Sequence, residues 1–259
     1  FLGKTKNGNM AFEINEEVKI VQFIELFKFM KNVSQYVSMI CTEELINIQL
    51  LDDSHVSLLD IKFKCSWFTS YNCVKPVTFS INNLIFNKIL NLYTLGSFLH
   101  CSLNDDTFDI SFLNKQENKY FTIHLLDIDK DILSPQDIET DLDFSIKTKL
   151  FDKYINDISV FGDDIEIACK DDKISLSSDS EEGKILIVID NENLLNFNVV
   201  DDYNISFKYA IKYIQYITKL KIVFHTTHIF LDEKAPLMIK FDNIDIDITY
   251  YIAPKTEED

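Results

Sequence analysis

The strongest constraint in this sequence is a lysine pattern that recurs at a nearly constant interval. A Lys followed three positions later by Lys, Asn or Gln begins at Lys28, Lys88, Lys153 and Lys212, with intervals of 60, 65 and 59 residues. Each pair lies in a run whose apolar residues recur with helical periodicity. An interval of this length is typical of chains built from stacked or ring-forming modules.

The same order of elements follows each lysine-bearing run. Two β-rich runs flank an acidic turn, and the four turns are Glu43-Glu44, Asp105-Asp106, Asp171-Asp172 and Asp232-Glu233. The repeating unit is therefore helix, strand, turn, strand. Four units of ~60 residues pair naturally into two domains in a chain of 259 residues. We predict an α+β fold of two similar domains, each made of two helix-plus-sheet repeats.

The domain boundaries are predicted from a change in composition. Residues 125–143 are rich in acids, contain a Pro and show little regular periodicity, which is typical of an interdomain linker. We therefore expect an N-terminal domain over 10–124 and a C-terminal domain over 144–259.

The charges are unevenly distributed between the helices and the remaining chain. The predicted helices at 18–33, 81–95, 147–160 and 207–221 contain 11 Lys against three acids, so they carry about +8 in a chain of net charge -17. The rest of the chain therefore carries about -25. An acidic protein is repelled by DNA unless its cations are gathered on one surface. We predict one phosphate-facing surface, although any single lysine row could be only a solvated helix face.

The residue types limit the chemistry of that surface. The sequence contains no Arg, so any nucleic-acid contact depends on Lys, which suits phosphates without reading sequence. The five Cys are odd in number and form no C-x-x-C pair. We expect reduced, buried thiols in an intracellular chain, with no metal site and no cofactor.

Two other classes of protein are disfavoured. No apolar run approaches the ~20 residues of a membrane span, and the first residues show no signal peptide. A metal-dependent hydrolase could use Asp52 and Asp53 or Asp201 and Asp202. Clustered acids in an acidic chain are normally solvated turns, so we expect no enzyme.

Two strand-like runs are candidates for pairing between subunits. Lys119–His124 and Lys184–Asp190 each read as a strand that another chain could extend. A buried strand within one chain is the open alternative for the second run. The candidate interface residues are Tyr120, Phe121, Ile123, Ile185 and Ile187.

Four stretches carry a resemblance to a known family. LLDDSHVSLLDIKF, GDDIEIACK, YAIKYIQYITKL and the terminal YYIAPKTEED are similar to corresponding stretches of the proliferating cell nuclear antigen (PCNA) family, the eukaryotic DNA sliding clamps, in order from about Met10 to Asp259. The resemblance implies a ring-forming homotrimer whose lysine-bearing helices line a central hole. It implies a processivity factor that encircles duplex DNA and tethers replication and repair enzymes.

The resemblance also assigns site residues. The DNA-binding side chains would be Lys28, Lys31, Lys88, Lys153, Lys212 and Lys219. A surface pocket for partner peptides would be formed by Leu51, His55, Val56, Leu58, Leu133, Pro236, Tyr251, Ala253 and Pro254. The linker is one residue shorter than in the family, so Ile132 and Leu133 compete for one position. The lysine that the family modifies with ubiquitin aligns with Asp171, which leaves only Lys170 nearby.

The implied partners follow from the same resemblance. They are double-stranded DNA without sequence preference, a replicative DNA polymerase, a clamp loader, a flap endonuclease and a DNA ligase, bound through short peptides, together with further copies of the chain. The implied location is the nucleus, or a cytoplasmic replication site if the source is a large DNA virus. A monomeric, non-encircling processivity factor and a subunit of a heterotrimeric checkpoint clamp remain alternatives.

Overall fold

A computed structural model describes residues 10–128, 133, 140–200, 204–241 and 244–255. The chain divides into two compact units. The first comprises the chain up to Leu51, Asp60–Leu133 and a short piece that ends at Asp247. The second comprises Asp52–Leu59, the chain from Ser134 to Asp242 and the end from Ile248.

The elements up to His124 alternate helices with antiparallel strands. In chain order they are β1 Met10–Ile14, α1 Glu17–Val33, β2 Tyr36–Cys41, β3 Leu45–Leu51, β4 Ser57–Lys64, β5 Ser70–Cys73, β6 Val77–Asn82, α2 Asn83–Leu90, β7 Phe98–Leu103, β8 Thr107–Leu113 and β9 Asn118–His124. In the first unit, β5, β1, β7, β8 and β9 form one sheet in that order, and β3, β2 and β6 pair in that order. Helices α1 and α2 pack against each other.

The elements from Leu142 onward repeat this plan. In chain order they are β10 Leu142–Lys147, α3 Thr148–Ile158, β11 Asp164–Lys170, β12 Lys173–Ser180, β13 Gly183–Ile189, β14 Leu194–Val199, β15 Ile205–Ala210, α4 Ile211–Thr218, β16 Thr226–Leu231, β17 Leu237–Phe241 and β18 Ile246–Ile252. In the second unit the sheet orders are β14–β10–β16–β17–β18 and β13–β12–β11–β15. Helices α3 and α4 pack against each other. The predicted α+β class and the repeated helix-plus-sheet plan are confirmed.

The fourth helix begins later than the predicted range of 207–221. Residues 207–210 belong to β15, which pairs with β11, and the helix starts at Ile211. Lys208 is therefore on a strand and does not share a helical stripe with Lys212. The segment ISFKYA alternates small or polar with apolar residues, so a period of two competes with the helical period. Pairing with β11 favours the strand.

Two other expectations are corrected by the structure. The acids of residues 190–204 indicate a loop, but Leu194–Val199 pairs with β10 as β14. All five cysteines are free, as expected, but Cys65 is exposed and not buried. It begins a short 3-10 turn at Cys65–Trp67 and not a strand, so no sheet face covers its side chain.

The helix pair of the first unit is held by aromatic packing. Phe86 on α2 is fully buried. Its ring packs edge to face against the ring of Phe27 on α1, with the ring centroids 4.8 Å apart. Phe86 also contacts Phe108 of β8, with ring centroids 5.8 Å apart. The Asn87 side-chain N–H donates to the Phe27 carbonyl oxygen at 2.9 Å, which adds a buried hydrogen bond between the helices. The apolar face of each helix is thereby turned inward.

A buried carboxylate organises the turn between β3 and β4. Asp52 is only 8% exposed and accepts hydrogen bonds from the Ser57 backbone N–H at 2.5 Å and the Ser54 backbone N–H at 3.2 Å. The Tyr213 hydroxyl of α4 donates to the same carboxylate at 3.0 Å. The turn also holds His55 at a φ of 58°, in the left-handed region. Asp52 thus fixes both the turn and its attachment to α4.

These bonds determine the charge state of Asp52. Burial raises its pKa, but hydrogen bonds from Ser57, Tyr213 and Ser54 stabilise the charged form and outweigh burial, so the pKa lies below its ordinary value. A carboxyl whose pKa is lower in the folded than in the unfolded state contributes stability at neutral pH. That stability is lost as the pH falls through the folded pKa.

Replacing Phe86 tests the packing of the first helix pair. Phe86→Ala should lower the free energy of unfolding by about 3–5 kcal/mol, because it leaves a cavity between two helices and a strand. The adjacent Ile85→Ala removes a side chain that is 42% exposed and should cost no more than about 0.5 kcal/mol. Urea unfolding followed by circular dichroism measures both. Equal losses would contradict the packing described.

Replacing Asp52 tests the buried carboxylate. Asp52→Asn should lower the free energy of unfolding by about 1–3 kcal/mol at pH 7, because the amide cannot accept all the donors that face it. The difference from the wild type should shrink as the pH falls below about 4, the unfolded pKa of Asp. Urea unfolding at several pH values measures it, and Asp53→Asn, at an exposed neighbour, is the control. A loss that is independent of pH would contradict the assignment.

Candidate functional site

The helix pair of the first unit exposes two lysines. Lys31 and Lys88 are exposed, and each lies in the last turn of its helix, where the helix dipole favours a cation. Lys28 is half-exposed, and its ammonium lies 2.5 Å from the Glu25 carboxylate one turn earlier. The charge of Lys28 is therefore partly neutralised by its own helix.

The helix pair of the second unit exposes a larger set of lysines. Lys153 of α3, Lys212 of α4 and Lys219 in the following 3-10 turn are all exposed. Lys149, one turn before Lys153, is exposed as well. The helical spacing of these two residues could have identified Lys149 from the sequence. The buried residues of both helices are apolar or neutral, apart from Asp152.

One of the two acids on α3, Asp152, does not oppose this charge. Asp152 is buried and accepts from Lys221 and from Asn156, so it neutralises a lysine that lies beyond α4. The Lys212 ammonium lies 4.8 Å from the centroid of the Tyr213 ring, a cation–π contact. Across the described part of the chain, the carboxylates form no ion pair with the predicted DNA-binding lysines other than Lys28.

The second unit contains most of the predicted pocket residues. Val56 in the Asp52 turn and Leu58 in β4 are half-buried, and His55 is exposed in the same turn. Leu237, the first residue of β17, pairs with Ile252, the last residue of β18. Pro236 directly precedes this pair and Ala253 directly follows it. The remaining predicted residues, Tyr251 and Pro254, are also half-buried.

The end segment, Ala253–Lys255, is attached at three points. The Ala253 backbone N–H donates to the Val56 carbonyl oxygen at 2.8 Å, which places the segment beside the Asp52 turn. The Lys255 backbone N–H donates to the Lys208 carbonyl oxygen of β15, also at 2.8 Å. The Lys255 ammonium lies 3.0 and 3.1 Å from the two Asp164 carboxylate oxygens. None of these long-range contacts has a local sequence signal.

The first unit contains the other two predicted pocket residues, Leu51 and Leu133. Leu51 is half-buried at the end of β3, and Leu133 is 42% exposed. The Gln49 side chain donates to the Leu133 carbonyl oxygen at 2.7 Å and accepts from the Leu133 N–H at 3.0 Å. This paired bond fixes the backbone of Leu133. Its competitor Ile132 lies outside the described residues.

The two candidate subunit-pairing strands lie at sheet edges. Strand β9 ends the sheet of the first unit, and β13 ends a sheet of the second. Tyr120 is 70% exposed and Phe121 is half-buried. Ile123 is only 6% exposed, so its side chain belongs to the core of its own unit. Ile185 and Ile187 are half-buried.

Other expected features fall as follows. In the described part of the chain, no three His, Cys, Asp or Glu side chains group as metal ligands would. The carboxylate of Asp52 is occupied by its own turn, whereas Asp201 and Asp202 lie outside the described residues. None of the described helices combines the length and apolarity that a membrane span requires. Lys170 is exposed opposite Lys173, beside the positive-φ turn of Asp171 and Asp172.

Comparison with known families accounts for both halves of the chain. The model for the N-terminal domain of proliferating cell nuclear antigen matches residues 13–133. The model for its C-terminal domain matches residues 136–256.

Individual proteins agree with this match. The chain is 24% identical over 251 residues to proliferating cell nuclear antigen 2 of Plasmodium falciparum, covering 90% of this chain and 95% of that protein. It is 25% identical over 247 residues to the Saccharomyces cerevisiae protein, covering 88% and 92%. The crystal structure of the Entamoeba histolytica protein superposes with a TM-score of 0.87 at 21% identity, covering 96% of this chain and all of that one. The chain therefore belongs to the proliferating cell nuclear antigen family of DNA sliding clamps, whose members are not enzymes.

Proposed function

We propose that three copies of this chain form a ring that encircles duplex DNA and tethers replication and repair enzymes to it. The observation that carries the proposal is the exposure of lysines on both helix pairs, while the rest of an acidic chain carries the negative charge. In this proposal residues 10–124 and 144–259 are the two clamp domains, and 125–143 connects them.

The mechanism is topological and needs no chemical step. A closed ring cannot leave a duplex sideways, so partners bound to it remain on their template. Lysine contacts to phosphates are individually weak and independent of sequence, and they permit sliding. The acidic charge elsewhere repels DNA from other surfaces and favours threading through the hole.

Assembly would use the sheet edges formed by β9 and β13. Strand β9 of one subunit would pair with β13 of the next, so that each edge receives a partner. Tyr120, Phe121, Ile185 and Ile187 would contribute side chains to this contact, whereas Ile123 would contribute backbone alone because its side chain is buried. Three copies of a four-repeat chain bring twelve repeats into the ring.

The partner pocket would bind short peptides. Half-buried Val, Leu, Pro and Tyr side chains offer an apolar surface, and the end segment offers backbone groups to a peptide. The expected partners are a replicative polymerase, a clamp loader, a flap endonuclease and a DNA ligase.

A nuclear location is proposed by analogy with the yeast relative, and a viral replication site remains an alternative.

Reversing charge on the second helix pair tests the DNA interface. Lys153→Glu combined with Lys212→Glu should weaken binding to a short linear duplex at low salt by at least about tenfold. It should also flatten the dependence of affinity on salt, because phosphate contacts are lost. Fluorescence anisotropy with labelled duplex measures both quantities.

The matched control reverses the same charge on a hairpin. Lys170→Glu combined with Lys173→Glu changes two exposed lysines opposite each other on β11 and β12. It should alter the affinity far less. Equal effects of the two double variants would contradict the interface.

Light scattering of the wild type separates the ring from a monomeric factor and from a subunit that assembles only with other chains.

Replacing one pocket residue tests partner binding. Val56→Asp should weaken binding of a Gln-x-x-apolar-x-x-aromatic-aromatic peptide by about tenfold or more, because a charge would enter a desolvated apolar contact. Calorimetric titration measures the affinity. Val74→Asp introduces the same charge at an exposed valine outside the proposed pocket and should leave binding unchanged. An unaffected Val56→Asp variant would exclude the pocket.

A further inference from the structure

The position of the end segment depends on contacts that cross one strand of the second unit. The Lys255 backbone binds β15 through the Lys208 carbonyl oxygen, and the Lys255 side chain reaches Asp164 on β11. Asp164 lies opposite Ala210 of β15 in the strand pairing. The side chain of Lys255 therefore passes across β15 and is held on the far side.

This arrangement holds Pro254 between two anchored neighbours. On one side, Ala253 is bound to Val56 in the Asp52 turn. On the other side, Lys255 is bound to Lys208 and Asp164. Pro254, between them, has a fixed φ and no N–H to bind elsewhere. A segment restrained at both ends loses little further freedom when a peptide binds against it.

We propose that Asp164 is a positioning residue for partner binding. It holds the Lys255 ammonium and so presents Ala253 and Pro254 to the peptide, without touching the peptide itself. The proposal rests on the peptide-binding function proposed above. It assigns a role to a residue of β11 that is not among the pocket residues implied by the family resemblance.

The ion pair between Lys255 and Asp164 should make a modest contribution to peptide affinity. The Lys255 and Asp164 side chains are 32% and 45% exposed, so solvent screens their attraction. The ammonium lies within 3.1 Å of both carboxylate oxygens, which fixes its direction. The expected contribution to peptide affinity is therefore about two- to fivefold, and it should diminish in high salt.

A charge exchange tests the proposal in the full chain. Four variants are compared with the wild type: Asp164→Lys, Lys255→Asp, the two combined, and Asp163→Lys. Asp163 is the matched control because it is adjacent, exposed and in none of the ion pairs among the described residues. The probe is the Gln-x-x-apolar-x-x-aromatic-aromatic peptide, and hydrogen exchange at the Lys255 amide reports the attachment to β15.

Asp164→Lys and Lys255→Asp should each weaken peptide binding by about two- to fivefold and speed hydrogen exchange at the Lys255 amide. The combined variant should recover most of both, which a merely structural role in the stability of β11 would not produce. Asp163→Lys should change neither. Equal effects of Asp163→Lys and Asp164→Lys, or no recovery in the combined variant, would overturn the proposal.

Failure of the two proposals is distinguishable. If the wild type binds no such peptide, the partner function itself fails. Amide exchange then still shows whether Asp164 anchors the end segment. If the wild type binds the peptide and Asp164→Lys leaves both affinity and exchange unchanged, only the positioning role fails.

Discussion

The structure depends on burial of the apolar face of each helix against its neighbour and a sheet. In the first unit, Phe27 and Phe86 occupy the contact between α1 and α2, and the Asn87 side-chain N–H donates to the backbone of α1. In the second unit, Ile155 and Ile214 are fully buried on α3 and α4. Because these apolar faces are buried, the lysines lie on the outer, exposed face of each helix pair. The cationic surface is therefore a consequence of core packing.

A second set of interactions, all polar, positions the segments proposed to bind partners. Asp52 joins its own turn to Tyr213 of α4, and Ser57 in that turn accepts from the Tyr250 hydroxyl of β18. The end segment is bound to Val56, Lys208 and Asp164. These bonds would order the pocket before any peptide arrives. Pre-ordered groups lose less entropy on binding.

Much of the fold was predictable because its signals are local. The helical period of the apolar residues predicted α1 almost to its ends, and the acidic turns marked the hairpins between β2 and β3, β7 and β8, β11 and β12, and β16 and β17. The predicted start of α4 was wrong because ISFKYA fits both the helical and the strand period. Its pairing with β11, which decides for the strand, is a tertiary effect. The contacts of Asp52 with Tyr213 and of Asp164 with Lys255 span 161 and 91 residues, so no window of sequence reveals them.

The central claim is that the exposed lysines of the helix pairs, and not those of the sheets, face DNA. Chemical acetylation of lysines, read by mass spectrometry with and without duplex DNA, tests it directly. The account predicts protection of Lys31, Lys88, Lys153, Lys212 and Lys219, with Lys170 and Lys173 equally reactive in both states. Protection of Lys170 and Lys173 while the helix lysines stay reactive would contradict it.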